Sequence, residues 1–337
     1  PFLFGPDADV KPFAEGELEA CALKARHFEQ LGQIFMRSGW RPDSTYALLV
    51  GGTLTPMHKH HDEGSFAIYK HDFLALDSGS RADQTDFNLK YYYGQSVAHN
   101  VVLIQKPGEA LPGYWGPAYR GEEGKTNYGG MYGVTAKVVA FETNDRYSYA
   151  AVDTGKLYGE KCTENVRQFV HVQPDVFVVY DRVGAADASY AKQWLLHTQN
   201  EPVVSGRVTR ADSRGGRLFS ESLLPKDATL EVVGGPGREF WANGKNWEIF
   251  DRVVARERRN CAKDGRGPYW GEWRVETHPG AARKDDRFLH VLTVGDTNTL
   301  AGVTTRLVEE KDRDGVVLAL PGGEEMTFLF NCTGAVG

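Results

Sequence analysis

Five of the ten histidines lie between Met57 and Asn100, in the stretch MHKHHDEGSFAIYKHDFLALDSGSRADQTDFNLKYYYGQSVAHN. His58 and His60 stand two apart, so they project from one face wherever the backbone is extended. Asp77 closes a strand-like run, and His99 follows a polar loop. Two imidazoles and a carboxylate that converge offer the nitrogen and oxygen ligands that Zn²⁺ takes. By spacing alone, His60, Asp77 and His99 are equally open to metal binding and to plain hydrogen bonding. A histidine in a β-rich chain is more often hydrogen-bonded than a ligand, and His27, His71, His171, His278 and His290 are given that role. His61 and Asp62 either support the ligands or are solvated. His197, in WLLHTQN, is assigned a structural hydrogen bond in preference to a place in a cleft.

The elements that must position these groups are strands. SFAIYK and FLALD, separated by His71 and Asp72, predict a hairpin directly under the histidines. IFMRSGW and STYALLVGG flank a turn at 41–43 and lead into it, while NVRQFVHV and VFVVYDRV predict a second hairpin about 173–175. The later runs KQWLLHT, RLFSESLLP, TLEVVGG, GEWRVETHP and RFLHVLTVG continue at even spacing. Together they predict an all-β fold of large antiparallel sheets stacked face to face. Leu18, Ala22, Ala25, Phe28, Leu31 and Phe35 recur at three or four, the one helix expected, over 16–36. The expected organisation is a linker and helix over 1–36 and a β-sandwich over 37–337, with a smaller C-terminal sheet from residue 245 onward.

The 337 residues, 41% hydrophobic and 12% aromatic, are enough for a sizeable core. A net charge of −6 gives no overall field for a polyanion, which argues against nucleic acid as a partner. No apolar run reaches the roughly 18 residues of a membrane span, and no signal peptide is visible at the start. The chain begins with Pro1, so a trimmed or excised segment is expected, with a signal or a domain upstream. Cys21, Cys162, Cys261 and Cys332 are too scattered for a zinc knuckle or a CxxC motif.

Residues 106–133 are dense in glycine, proline and aromatic residues, and long for a connection. Tyr114 and Trp115, with Tyr119 and Tyr128, have the apolar faces and polar tips that stack on sugar rings or, equally, cap a sheet edge.

Three features resemble the β-sandwich half of the heparinase II/III-like polysaccharide lyases, most closely heparinase II. They are the run HKHHDEGSFAIYKHDFLALDSG, the AHN at 98–100, and KQWLLHTQNEPVVSG followed in order by SLLP, VVGG, EFW, EWRVE and FLHVL. The resemblance implies a β-supersandwich that follows an α/α toroid, with the active site between them and the segment 16–36 as the toroid's tail or the linker. It implies a structural zinc held by His60, Asp77 and His99, with His58 facing the substrate. It also implies β-elimination on an anionic uronic-acid polysaccharide, a periplasmic or secreted location, and a homodimer. The toroid, with the tyrosine and further histidine that the family uses as acid and base, would lie upstream.

Two other functions fit the residues. His60, Asp62 and His99 form the set of a two-histidine, one-carboxylate iron oxygenase. Alternatively, the sandwich is a non-catalytic carbohydrate-binding module that uses the 107–133 loop.

Overall fold

The computed structural model describes residues 17, 23–52, 60–80, 87–109, 126–127, 130–131, 135–262, 267–299 and 301–334. Its first sheet joins β1 (Ala25–Phe28), β2 (Gln33–Arg37), β3 (Tyr46–Val50), β4 (Phe66–Lys70) and β5 (Asp72–Ala75), antiparallel and in sequence order. Two helical turns at 89–93 and 96–98 then lead to β6 (Val102–Gln105) and the two-residue strands β7 (Thr126–Asn127) and β8 (Gly130–Met131). Next come β9 (Lys137–Thr143), β10 (Tyr147–Asp153), β11 (Cys162–Val172), β12 (Val176–Ala185) and β13 (Ala191–Thr198). They are followed by β14 (Val203–Ser205), β15 (Val208–Ser213), β16 (Gly216–Leu224) and β17 (Thr229–Gly234). After the short pair β18 (Trp241–Ala242) and β19 (Lys245–Asn246) the chain forms a helix, α1 (Asp251–Ala262). The last strands are β20 (Trp273–His278), β21 (Asp285–Asp296), β22 (Thr304–Glu309), β23 (Arg313–Ala319) and β24 (Glu325–Asn331).

The largest sheet has eight strands in the order β14-β15-β16-β21-β12-β11-β10-β9, and a four-stranded sheet runs β17-β20-β13-β6. Strand β12 is buried along its whole length, and its alternation explains the layers. Phe177, Val179 and Val183 point into one core with Ile34, Met36, Leu49, Phe66, Trp194 and Leu196 of the five- and four-stranded sheets. Val176, Val178 and Tyr180 point the other way, into a core with Val316, Leu318 and Phe330 of the three-stranded sheet β22-β23-β24. Strands β6 and β13 repeat the device: Leu103 and Leu195 face a third core, with Tyr92, Val97, Ala98, Phe240, Val253 and Trp270. Thus three sheet layers are stacked, with α1 and the helical turns outside the four-stranded sheet. The all-β, antiparallel sandwich expected from the sequence is what forms.

Of the helix expected over 16–36, Glu17 is helical, but the described residues from 23 onward are not. Residues 25–37 are the β1–β2 hairpin, in the register Ala25↔Met36 to Phe28↔Gln33. Two of the residues counted on a helical stripe are exposed, Phe28 at 40% and Leu31 at 53%, while Ile34 and Met36, which alternate, are fully buried. Gly32 makes the turn at φ +63, and a Cβ there would collide with the Gly52 carbonyl. A short apolar run fits both periods, and pairing with β3 selects the period of two. Of the segment expected as a C-terminal sheet, β20 and β21 join the main sheets and only 304–331 forms its own. Among the described residues no helix is long and apolar enough to cross a membrane.

Candidate metal and substrate site

The site forms where the open end of the β4–β5 hairpin meets the arm that follows the helical turn at 96–98. The hairpin's other end is anchored: His71 takes φ 61 at the turn, and the buried Asp72 accepts from Ser213 Oγ at 2.7 Å and Tyr269 Oη at 2.6 Å. At the open end His60, Asp62 and Ser65 enter β4, and Asp77 and Ser78 leave β5. The Ser78 N–H donates to the Ala98 carbonyl at 2.8 Å, which fixes the exit of β5 against the arm. Gly271, at φ +56, lets the lead-in to β20 approach as well, since a Cβ there would sit 3.0 Å from the Asp77 carbonyl oxygen.

This packing brings together three of the predicted site residues. His99 is fully buried, with its Nδ1 3.0 Å from Asp77 Oδ1. The His60 ring lies 5.5 Å from that of His99, centroid to centroid, and stands edge-on to Tyr93 at 4.6 Å. Ser65 Oγ reaches Asp77 Oδ1 at 3.5 Å. His58, Tyr114 and Trp115 lie outside the described residues.

Asn100 was passed over in the sequence and is the hub of the site. Its Nδ2 donates to the carbonyls of Phe66 at 2.8 Å and Leu76 at 3.3 Å, one on each strand of the hairpin. Its Oδ1 accepts from the backbone N–H and ring Nδ1 of His197 on β13. Its own N–H donates to Ser65 Oγ at 3.0 Å, and its carbonyl accepts from Arg167 Nη1. Arg167 is buried in a bidentate pair with Asp181, at 2.7 and 3.1 Å, and also donates to the Gly64 carbonyl at 2.6 Å. The available signal was the asparagine's place beside His99 in an otherwise apolar run, AHNVVLI.

The charges reinforce one another. Burial pushes the Asp77 carboxyl up, but His99, His60 and His197 outweigh it and hold the carboxyl below its usual range. Burial pulls His99 down, yet Asp77, Asp62 and the Tyr93 carbonyl raise it above an ordinary histidine. Desolvation, helped by Asp77 and Glu63, lifts Asp62 to about 6. His197 is driven down to about 3 by burial and by Arg274 and His99, so its ring is neutral.

Residues 22–229 match the model of the family described as Heparinase II/III-like, C-terminal. The chain belongs to this family. The heparinase II/III-like fold extends beyond the matched segment, since the chain superposes over most of its length on solved structures. A heparinase III structure has a TM-score of 0.63 at 12% identity, covering 92% of this chain and 42% of that one. The heparan sulfate lyase HepC from Pedobacter heparinus has a TM-score of 0.61 at 15% identity, covering 93% and 43%. This chain therefore spans less than half the length of either. No curated protein matches it.

The residue types at this heparinase II/III-like site are among those a metal ion takes, although the ligand atoms of His60, Asp77 and His99 do not all lie within 4.8 Å of one another. The buried His99 ring has Asp77 Oδ1 3.0 Å from its Nδ1, so that nitrogen already has a carboxylate partner. Two imidazoles and a carboxylate are an ordinary zinc set. Among the described residues, however, the one group whose ligand atoms all lie within 4.8 Å of one another is Glu231, Glu276 and His278, on β17 and β20. It is a possible three-residue metal group separate from the trio picked out in the sequence. His278 Nε2 stands 3.1 Å from Glu276 and 3.9 Å from Glu231 there, and Arg274 pairs with Glu276 at 2.6 Å.

Proposed function

We propose that this chain forms one wall of the active-site cleft of a polysaccharide lyase. The enzyme would cleave a uronic-acid polymer, a glycosaminoglycan such as heparan sulfate or an alginate, by β-elimination. The observation that carries the reading is the 3.0 Å contact of Asp77 with the buried His99, beside the His60 ring, in a chain of heparinase II/III-like family.

The chemistry sets what each wall must do. A base removes the proton at C5, the C4–O bond breaks as the C4–C5 double bond forms, and an acid protonates the departing oxygen. The C5 proton is only weakly acidic beside a carboxylate, so a hydrogen bond that neutralises the carboxylate favours its removal. His58, two residues before His60, is assigned to face the substrate here. His60, Asp77 and His99 would hold Zn²⁺, which would crosslink the hairpin to the arm and stiffen the wall. Tyr114 and Trp115 are assigned to stack on sugar rings. An upstream helical domain would supply the opposite wall, with its tyrosine and histidine. The similar lyases, more than twice as long as this chain, support that division. We further place the protein in the periplasm or outside the cell, as a homodimer.

The test is an elimination assay on the full-length protein. Heparan sulfate, dermatan sulfate, hyaluronan and alginate are offered in turn, and ultraviolet absorbance of the unsaturated product is followed. Absorbance from at least one polymer, lost in Asp77→Ala and His60→Ala, is expected; four inert polymers would defeat the reading.

A further inference from the structure

Strand β20 reads WRVETH, so Arg274, Glu276 and His278 alternate and share one face of the sheet. On the neighbouring β17, Glu231 stands directly opposite Glu276 in the antiparallel register. Two carboxylates so placed repel, and a pair that served sheet stability alone would be apolar or of opposite charge. Because β17 is the edge strand of its sheet, the Glu231 side chain is half exposed, whereas Glu276 is only 7% exposed.

The two carboxylates are arranged alike. One oxygen of each is turned to an arginine: Glu276 Oε1 accepts from Arg274 Nε at 2.7 Å and Nη2 at 2.6 Å, and Glu231 Oε1 lies 3.7 Å from Arg238 Nη2. The other oxygen of each is turned to a single ring nitrogen, His278 Nε2, with Glu276 Oε2 at 3.1 Å and Glu231 Oε2 at 3.9 Å. Two anionic oxygens and an imidazole nitrogen thus lie within 4.8 Å of one another. Arg274 is itself buried and bonds the Tyr92 hydroxyl as well as Glu276. The carboxylates are therefore oriented from behind, as metal-binding carboxylates are when a further hydrogen-bond partner fixes them.

We propose that Glu231, Glu276 and His278 form a second metal site, separate from the His60, Asp77 and His99 trio, that takes an exchangeable divalent transition metal of the zinc class. The imidazole favours zinc over calcium or magnesium, which prefer oxygen ligands throughout. Three protein ligands leave a position for water, and the exposure of Glu231 opens a path for exchange. Arg238 and Arg274 already offset the charge of the two carboxylates, which weakens the hold on a further cation. The site therefore empties on dialysis and refills when metal is added. Bound metal ties the edge strand β17 to β20 through side chains as well as through the backbone ladder, and adds to stability by mass action. Metal and proton compete for His278 Nε2, since an imidazolium in the same place also bridges the carboxylates. The site is independent of the lyase reading and of the polymer cleaved.

The experiment follows metal uptake, not cleavage. The 337-residue chain is dialysed against metal-free buffer, its remaining zinc is measured, and ZnCl₂ is titrated in by calorimetry at neutral pH beside thermal unfolding. Uptake of about one further equivalent is expected, with a rise in Tm at saturating zinc. Glu231→Gln and His278→Ala should each weaken that uptake about tenfold or more and remove the rise in Tm. Glu231→Gln keeps the size of an exposed side chain, so it tests the site even if His278→Ala folds poorly. Asp77→Ala should retain the exchangeable equivalent. The proposal is overturned if uptake survives in both Glu231→Gln and His278→Ala, or is lost in Asp77→Ala alone, because the titrated metal then belongs to the other trio. No uptake beyond the zinc kept through dialysis overturns it too, and leaves His278 as an imidazolium bridge. Binding of Mg²⁺ or Ca²⁺ as tight as that of Zn²⁺ would reduce the site to an acidic patch.

Discussion

Asn100 Oδ1 accepts hydrogen bonds from two atoms of one residue, the His197 backbone N–H at 2.7 Å and its ring Nδ1 at 3.1 Å. The same carboxamide donates to Phe66 and Leu76 from Nδ2, so its orientation is set by four partners, and His197 Nδ1 must carry the proton. Asn100 is thus the bolt between the β4–β5 hairpin and β13, one residue from the predicted ligand His99.

Removing that bolt should loosen fold and site together. Asn100→Ala takes the side-chain partner from two carbonyls, an imidazole N–H and the His197 backbone N–H, each loss costing about 1–3 kcal/mol. A loss of about 3 kcal/mol or more in urea unfolding is expected. A loss below about 1 kcal/mol would mean that water or a shifted neighbour replaces the carboxamide.

Metal content separates the carboxylates at the site. Asp77 touches His99, while Asp62 acts on it through charge. The purified chain should hold about one zinc per molecule. Asp77→Ala should lower zinc content and melting temperature in step, and Asp62→Ala should keep both nearly intact. Full zinc in Asp77→Ala with loss in Asp62→Ala would reverse the ligand assignment.

Acid should unfold the protein through its buried neutral histidines. His171 stacks on Phe177 at 4.5 Å and its Nε2–H donates to the Pro174 carbonyl at 2.9 Å. Burial holds its pKa at about 4 and that of His197 at about 3. Both are depressed below the unfolded value of about 6.5, so their contribution is complete above that pH and falls as protons bind the unfolded chain. Between pH 6.5 and about 4 each adds a slope of about 1.4 kcal/mol per pH unit. His171→Gln should remove its share of that slope in urea titrations at successive pH values. An unchanged slope would show that His171 does not titrate in this way.

Hairpins were the most legible part of the fold. Aromatic and branched runs in NVRQFVHV and VFVVYDRV, and in SFAIYK and FLALD, marked β11–β12 and β4–β5 because each strand buries at least one face along most of its length. The β1–β2 hairpin was missed because Phe28, Leu31 and Phe35 mimic a helical stripe while the buried pair is Ile34 and Met36. Helix α1 was missed for the opposite reason: its apolar face is reduced to Val253, Val254 and Cys261 among many charges. At the site, His60, Asp77 and His99 were visible by residue type. Asn100 and Arg167 were not, since their roles depend on contacts with Leu76, His197 and Asp181 that only the folded chain creates.

The last expectation is that this chain, without an upstream domain, binds polysaccharide but does not cleave it. Elimination needs a base within about 3 Å of the C5 proton and an acid near the leaving oxygen, held together about one sugar ring. Among the described residues, the tyrosines beside the site are engaged in packing or hydrogen bonds. Tyr92 is buried, donates to Ser78 Oγ at 3.0 Å and has its hydroxyl pKa raised further by burial. Tyr91 stacks on Trp247 at 4.7 Å, and Tyr93 stands edge-on to His60. The isolated chain should therefore give no ultraviolet absorbance from heparan sulfate, dermatan sulfate, hyaluronan or alginate. In a longer form that carries the proposed helical domain it should act on at least one, with His58→Ala lowering kcat by about 10²–10⁴-fold, the range of general acid–base contributions. Activity from the isolated chain that disappears in Tyr93→Phe would overturn this, and would make Tyr93, beside His60, the acid.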